Sequence, residues 1–371
     1  MNVRLRESSQ APTPRPELSP LTPFQQGKCG LEGCARPIKL SANESHLGPS
    51  PRAIEAYRRM ADELFCYPDG SQLGLREAIG ETFGLDAARI VCGNGSDELL
   101  QLLIRAYVRP GDEVVFSRFS FAMAMVHATA QGAKLVFAEE PALRPDADLL
   151  LAAVTPRTRM VFLASPNNPV GQYLAAADLA RLHRQLPPEV LLVIDSAYAD
   201  YVSEPDFDAG AGLVDAGGNA VMTRTFSKLY GLAGLRIGWA YAPAAIIDAV
   251  QRIRTPFNAS SAAMAAATAA VRDQAYAAYV RDYNARELRK LREGVARLPG
   301  IEWVPTVTNF YLLRFTGDVH TPAGAATALE AAGIIPRPVG SGGPERCLRI
   351  TVGLAHENDA VLDVLTAYLK N

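Results

Sequence analysis

From about residue 86 to 241, short β-branched apolar runs alternate with stretches whose apolar residues recur every three to four positions. That alternation predicts βαβ units around a mostly parallel sheet, an α/β fold with helices flanking the sheet. Strands are expected at 89–92, 113–117, 134–137, 160–164, 190–195, 220–223 and 236–241. Several are continuous apolar runs, as strands covered on both faces should be. Residues 97–108 have helical apolar spacing, with Ser96 or Asp97 placed to cap the start. After Pro256 the pattern lengthens into helices, one of them at 276–298, and then returns to strand-like runs at 308–315 and 348–352. This shift predicts a second, smaller α+β domain. Residues 38–47 have no helical period and are expected to pack with it. The expected division is an N-terminal arm at 1–37, a large domain at 60–250, and a small domain made of 38–59 and 251–371.

Composition narrows the class. Of 371 residues, 49% are apolar and 20% charged, an ordinary globular balance. A net charge of −2, from 37 basic and 39 acidic residues spread along the chain, leaves no footprint for nucleic acid. Five cysteines (Cys29, Cys34, Cys66, Cys92, Cys347) include no C-x-x-C pair and read as reduced thiols of a cytoplasmic protein. Residues 1–20 carry Pro12, Pro14, Pro16 and Pro20 and lack the apolar core of a signal peptide. The most apolar stretch, 259–271, falls short of the ~20 residues a membrane helix needs. No membrane association is expected.

Four segments carry candidate chemistry. In T-R-T-F-S-K-L-Y-G-L-A-G-L-R-I-G (223–238), Lys228 lies in a glycine-punctuated apolar loop. An amine desolvated among Phe226, Leu229 and Leu232 would be a usable nucleophile toward a carbonyl. Arg236 opens the following strand, and with Thr225 and Ser227 it could bind a phosphate. A surface lysine and a structural arginine are the bland alternative. In V-I-D-S-A-Y (193–198), Asp195 ends an apolar strand, where ligands of open α/β sheets bind. It could pair with a protonated pyridine nitrogen while Tyr198 meets a ring oxygen; a helix cap with a packing tyrosine is the alternative. In S-P-N-N-P-V-G (165–171), two prolines restrain the backbone, and Asn168 is a candidate donor to the same oxygen unless the segment is only a turn. In C-G-N-G-S-D-E-L-L (92–100), glycines precede a helix start, so Gly95, Ser96 and Asp97 are candidate phosphate contacts.

Taken in order with L-T-P-F (21–24), K-L-S-A-N-E (39–44), Y-P-D (67–69) and L-R-I-T-V-G (348–353), these motifs resemble the fold-type I, class I and II aminotransferases, and within them the histidinol-phosphate aminotransferase family. The resemblance runs from about residue 20 to the C-terminus. It implies pyridoxal 5′-phosphate (PLP) as cofactor, held by Lys228 as a Schiff base, with Asp195 facing the pyridine nitrogen and Asn168 and Tyr198 the ring oxygen. Arg236, Ser227, Thr225, Ser96 and Asp97 would surround the phosphate, and Phe121 would stack on the ring. It further implies a homodimer in which Tyr67 reaches the neighbouring subunit's cofactor, and Arg349, Arg337 and Asn43 on the substrate side. The substrates would be a small amino donor and a 2-oxo acid: histidinol phosphate and 2-oxoglutarate, giving imidazole-acetol phosphate and glutamate in histidine biosynthesis.

The sequence departs from the family pattern at Phe24, where a tyrosine hydroxyl usually meets the substrate phosphate, and at Ser45, His46, Val170 and Ser196. The lost hydroxyl keeps an aromatic or broad-specificity aminotransferase open, and a phospho-amino acid decarboxylase less so. A catalytically inactive PLP-fold binding protein is a further alternative. A nucleotide-binding oxidoreductase has against it the absence of G-x-G-x-x-G, and a metal hydrolase the absence of H-E-x-x-H.

Overall fold

In the computed structural model, residues 13–23, 27–340 and 342–370 are described; Phe24, expected on the substrate side, lies outside them. The strands are β1 (Ile38–Lys39), β2 (Ile90–Gly93), β3 (Glu113–Ser117), β4 (Lys134–Ala138), β5 (Thr158–Ala164), β6 (Leu191–Asp195), β7 (Ala220–Thr225), β8 (Gly238–Tyr241), β9 (Ile301–Val304), β10 (Phe310–Phe315), β11 (Ile334–Ile335), β12 (Arg337–Pro338) and β13 (Cys347–Thr351).

Seven of them form one sheet in the order β2-β8-β7-β6-β5-β3-β4. β8 runs antiparallel to β2 and β7, and the other four pairings are parallel. The apolar runs explain this layer. On one face Val114, Phe116, Phe162, Val193 and Val221 meet Leu99, Leu103 and Ile247 from the helices Ser96–Tyr107 and Ala244–Ile253. On the other, Val115, Val161, Leu163 and Ile194 meet Leu150, Leu179 and Leu182. Successive residues of a strand therefore serve opposite cores, and neither face of the central strands can be polar.

A four-stranded antiparallel sheet, β12-β13-β10-β9, and the parallel pair β1-β11 make the second layer. Leu40, Tyr311, Leu313, Leu329, Ile350 and Leu365 share its core. The early segment packs there as expected: Leu40 donates its N–H to Ile335 O at 2.9 Å and accepts from Thr351 N at 2.8 Å. Two helices grouped on sequence with the small domain instead face the large sheet. Ala53 of Pro51–Arg59, and Ala263, Ala266, Ala267 and Ala270 of Ser261–Arg272, share a core with Ile90, Trp239 and Tyr241. Small alanine faces allow that close approach.

Two local readings are corrected. Gly95, not Ser96 or Asp97, is the N-cap of the helix Ser96–Tyr107. Arg236 does not open a strand; it sits two residues before β8 in a left-handed conformation, φ 51°. Among the described residues no helix is long and apolar enough to cross a membrane.

Candidate active site

Parallel strands end on the same side, so the loops after β2, β3, β5, β6 and β7 converge along one sheet edge, joined by the segment that leads into the antiparallel β8. The motifs 92–100, 165–171, 193–198 and 223–238 lie on these loops, whereas 39–44, 67–69 and β13 come from elsewhere in the chain.

Asp195 is the last residue of β6, 6% exposed, and register places it opposite Thr223 of β7. Thr223 Oγ1 donates to Asp195 Oδ1 at 3.0 Å. Burial pushes the carboxyl up to about 6, reinforced by the Asp97 charge and opposed by the Thr223 hydroxyl and the Lys228 cation. A buried carboxylate held against its hydration preference is a seat for a cation. Lys228, half-buried, donates from Nζ to Ala42 O at 3.3 Å and lies 5.6 Å from the Tyr198 ring centre. Its apolar neighbours do not envelop it as expected: Phe226, Leu229 and Leu232 face the core, leaving the amine toward the site. The Tyr198 hydroxyl accepts from Asn43 Nδ2 at 2.8 Å, and Asn43 is itself fixed by a 3.0 Å bond from its N–H to Thr351 Oγ1.

The loops after β2 and β7 and the turn before β8 meet at the start of the helix Ser96–Tyr107. Arg236 Nη1 donates to Ser227 Oγ and to Ala233 O, both at 3.3 Å, and Ser227 N–H donates to Thr225 Oγ1 at 3.1 Å. Gly95 has φ +79°, and a Cβ there would lie 2.5 Å from Arg236 Nη2, so only glycine lets the guanidinium reach the helix end. Hydroxyls, a guanidinium and open helix N–H groups make a cradle whose donors suit a phosphate dianion. Asp97 brings no side chain to it, because its carboxylate pairs with His127 Nε2 at 3.1 Å; only its backbone N–H could serve an anion.

Arg349, central in β13, is buried and donates from Nη1 to Asn168 Oδ1 and from Nη2 to Ser41 O at 2.7 Å. Burial pulls its pKa down to about 10, and its Nε has no partner among the described residues. Arg337 of β12 is its register neighbour. Both line a cavity of about 620 Å³ with Phe121, Asn168, Lys39 and Arg118. Tyr67 is not brought to this cluster; it is 82% exposed and stacks on Phe257 at 4.7 Å. Thr223 was missed on sequence, although the T-R-T pattern places it on the same strand face as Thr225, a period-two signal. The Ser41 and Ala42 carbonyls left no side-chain signal to find.

The model of the family "Aminotransferase class I and II" matches residues 35–367. The histidinol-phosphate aminotransferase of Paramagnetospirillum magneticum is 50% identical over 360 residues, 97% of this chain and 99% of that one. That of Rhodospirillum centenum is 48% identical, again covering 97% and 99%. The crystal structure of the Sinorhizobium meliloti histidinol-phosphate aminotransferase in complex with PLP superposes with a TM-score of 0.91 at 31% identity, over 98% of this chain and 99% of that one. With a family match over nearly the whole length and relatives at this identity, the chain belongs to the class I and II aminotransferases.

Proposed function

We propose that the chain moves an amino group between histidinol phosphate and 2-oxoglutarate, using PLP. The observation that carries this reading is that the strand ends gather an amine, a buried carboxylate and an anion cradle, while the arginine pair Arg337 and Arg349 lines a cavity whose wall includes Ala42, the residue that accepts from Lys228 Nζ. Bound PLP supplies an electron sink that acidifies the C–H next to the substrate's amino group. Asp195 serves the ring nitrogen: a positive N–H opposite it relieves the cost of its buried charge. Asn168 and Tyr198 would orient the ring through its oxygen, and Phe121 offers an aromatic face for it to stack on. Arg236, Ser227, Thr225 and the N–H groups of Gly95 and Ser96 hold the phosphate. Lys228 would hold the cofactor's aldehyde through Nζ; as a free amine, that Nζ would take the proton from the substrate carbon and deliver it to the aldehyde-derived carbon, a general base already in place. Arg349 and Arg337 meet the substrate's anionic groups, since a planar fork pairs equally with carboxylate and phosphate.

The working unit is a homodimer in the cytoplasm. Leu64, Phe65 and Tyr67 are 72%, 87% and 82% exposed, an apolar surface that a second copy would cover while Tyr67 reaches the neighbour's phosphate site. The large domain spans about 60–250 and the small one 38–59 with 251–371, with the two alanine-faced helices serving the large domain's core.

Steady-state turnover of histidinol phosphate against phenylalanine and tyrosine tests the substrate. A preference for the phosphate ester of about a hundredfold or more is expected. Parity would replace this reading by an aromatic aminotransferase, which the missing hydroxyl at Phe24 favours, and Phe24→Tyr measured in parallel would then raise turnover of the ester alone.

A further inference from the structure

Glu140 lies two residues beyond β4, 6% exposed, and belongs to none of the motifs above. Its Oε1 accepts one hydrogen bond from the backbone N–H of Phe119 at 3.3 Å and another from Asn167 Nδ2 at 3.2 Å. These donors stand on different walls of the cavity. Phe119 begins the segment that ends in Phe121, N-cap of the helix Ala122–Ala130; Asn167 precedes Asn168, whose Oδ1 takes a hydrogen bond from Arg349. Phe119, Phe121, Asn168 and Pro169 all line the cavity. The Asn167 turn is otherwise closed on itself, its N–H to Gln172 O at 2.7 Å and its carbonyl from Gly171 N at 2.8 Å. Glu140 thus supplies the polar tie between this turn and the Phe121 segment.

We propose that Glu140 is a positioning residue whose buried carboxyl oxygen sets the spacing between the Phe119–Phe121 segment and the Asn167–Asn168 turn, and so the width of the slot that receives the cofactor ring. The inference rests on the PLP reading for what fills the slot; the tie itself does not. Both bonds require only an acceptor, so a neutral carboxyl serves as well as a charged one. Burial favours the neutral form, pushing Glu140 up to about 7 against the Phe119 amide. Glu140 Oε2 and Asn167 Oδ1 are buried without partners among the described residues. A glutamine would keep the acceptor and place an amide donor where Oε2 stands. A methionine would fill the space and leave two buried donors unpaired.

The experiment compares wild type, Glu140→Gln, Glu140→Met and Asn167→Ala. Four quantities are read: PLP dissociation constant by reconstitution of cofactor-free protein, pH midpoint of the visible absorbance of loaded protein, KM and kcat for glutamate, and melting of cofactor-free protein. Glu140→Met is expected to weaken PLP binding about tenfold or more, because small misplacements at a preorganised site are costly. It should also move the absorbance midpoint by about one pH unit. Glu140→Gln should stay within about twofold of wild type in affinity, retaining both bonds. Asn167→Ala should show the methionine signature, which keeps the test open should Glu140→Met fail to fold. A methionine variant that melts lower but binds PLP with unchanged affinity and midpoint overturns the proposal, as does a glutamine variant as impaired as methionine. Wild type that binds no PLP would instead defeat the functional reading.

Discussion

Burial holds the Asp195 carboxyl at about 6 and the Glu140 carboxyl at about 7, against ordinary values of 3.8 and 4.5. Within those windows the cofactor-free folded chain keeps protons that the unfolded chain has released, so its stability falls as pH rises from about 4 to about 7. Asp195→Asn should flatten the lower part of that decline, and Glu140→Gln the upper part, in melting curves taken across the range. For Asp195 the full window is worth roughly 3 kcal/mol at most. The substitution that spares apo stability should cost the loaded enzyme dearly, because an amide cannot compensate a positive ring nitrogen. Lys228→Ala should abolish transamination, and borohydride treatment of wild type should leave the cofactor mass on the Lys228 peptide. A Lys228→Ala protein as fast as its parent would refute the mechanism.

Among the elements, the junction of β2 with the helix Ser96–Tyr107 shows how backbone sets chemistry. Gly95 ends the turn at φ +79°, against Arg236, and Gly238 at the start of β8 would place a Cβ 2.3 Å from Ser96 N. Helix end and antiparallel strand therefore pack backbone to backbone, while the bare Gly95 leaves room for the guanidinium of the left-handed Arg236 at the helix N-terminus. Gly95→Ala adds both strain and collision, of order 1–3 kcal/mol. The melting temperature of cofactor-free protein should fall by a few degrees, and PLP affinity should fall tenfold or more, both measurable on the same preparation. The pairing of β12 with β13 acts in the same manner on the substrate side, because register rather than sequence proximity puts Arg337 beside Arg349.

Among the described residues Leu64, Phe65 and Tyr67, close together in sequence, are left bare by the fold, with Phe257 stacked on Tyr67. Light scattering should give about twice the 39.8 kDa chain mass for wild type. Phe65→Asp, which charges the most exposed of these side chains, should shift the population to monomer and reduce activity in proportion. A wild type that is monomeric and fully active would remove both the dimer and the role given to Tyr67. The second sheet contributes to the site through Arg349, whose bonds to Asn168 and to the Ser41 carbonyl join residues more than 180 positions apart to one cavity.

The amino-acid pattern by itself determined the parallel sheet, because strands covered on both faces must be apolar throughout, and such runs are visible without any knowledge of neighbours. It also determined that Lys228, Asp195, Asn168 and the Gly95 turn share one edge, since parallel strands end on the same side. Tertiary structure decided what depends on which strands become neighbours and how loops fold back. Thr223 meets Asp195 through the β6–β7 register, Asp97 turns to His127 instead of the phosphate cradle, and Gly95 caps a helix whose next residues had looked better suited. The alanine-faced helix Ser261–Arg272 joins the large core because small side chains permit approach from either partner, a choice local composition leaves open. Glu140 was silent in the sequence for the same reason: a single carboxylate acquires meaning only when burial strips its water and two separate loops present donors to the same oxygen.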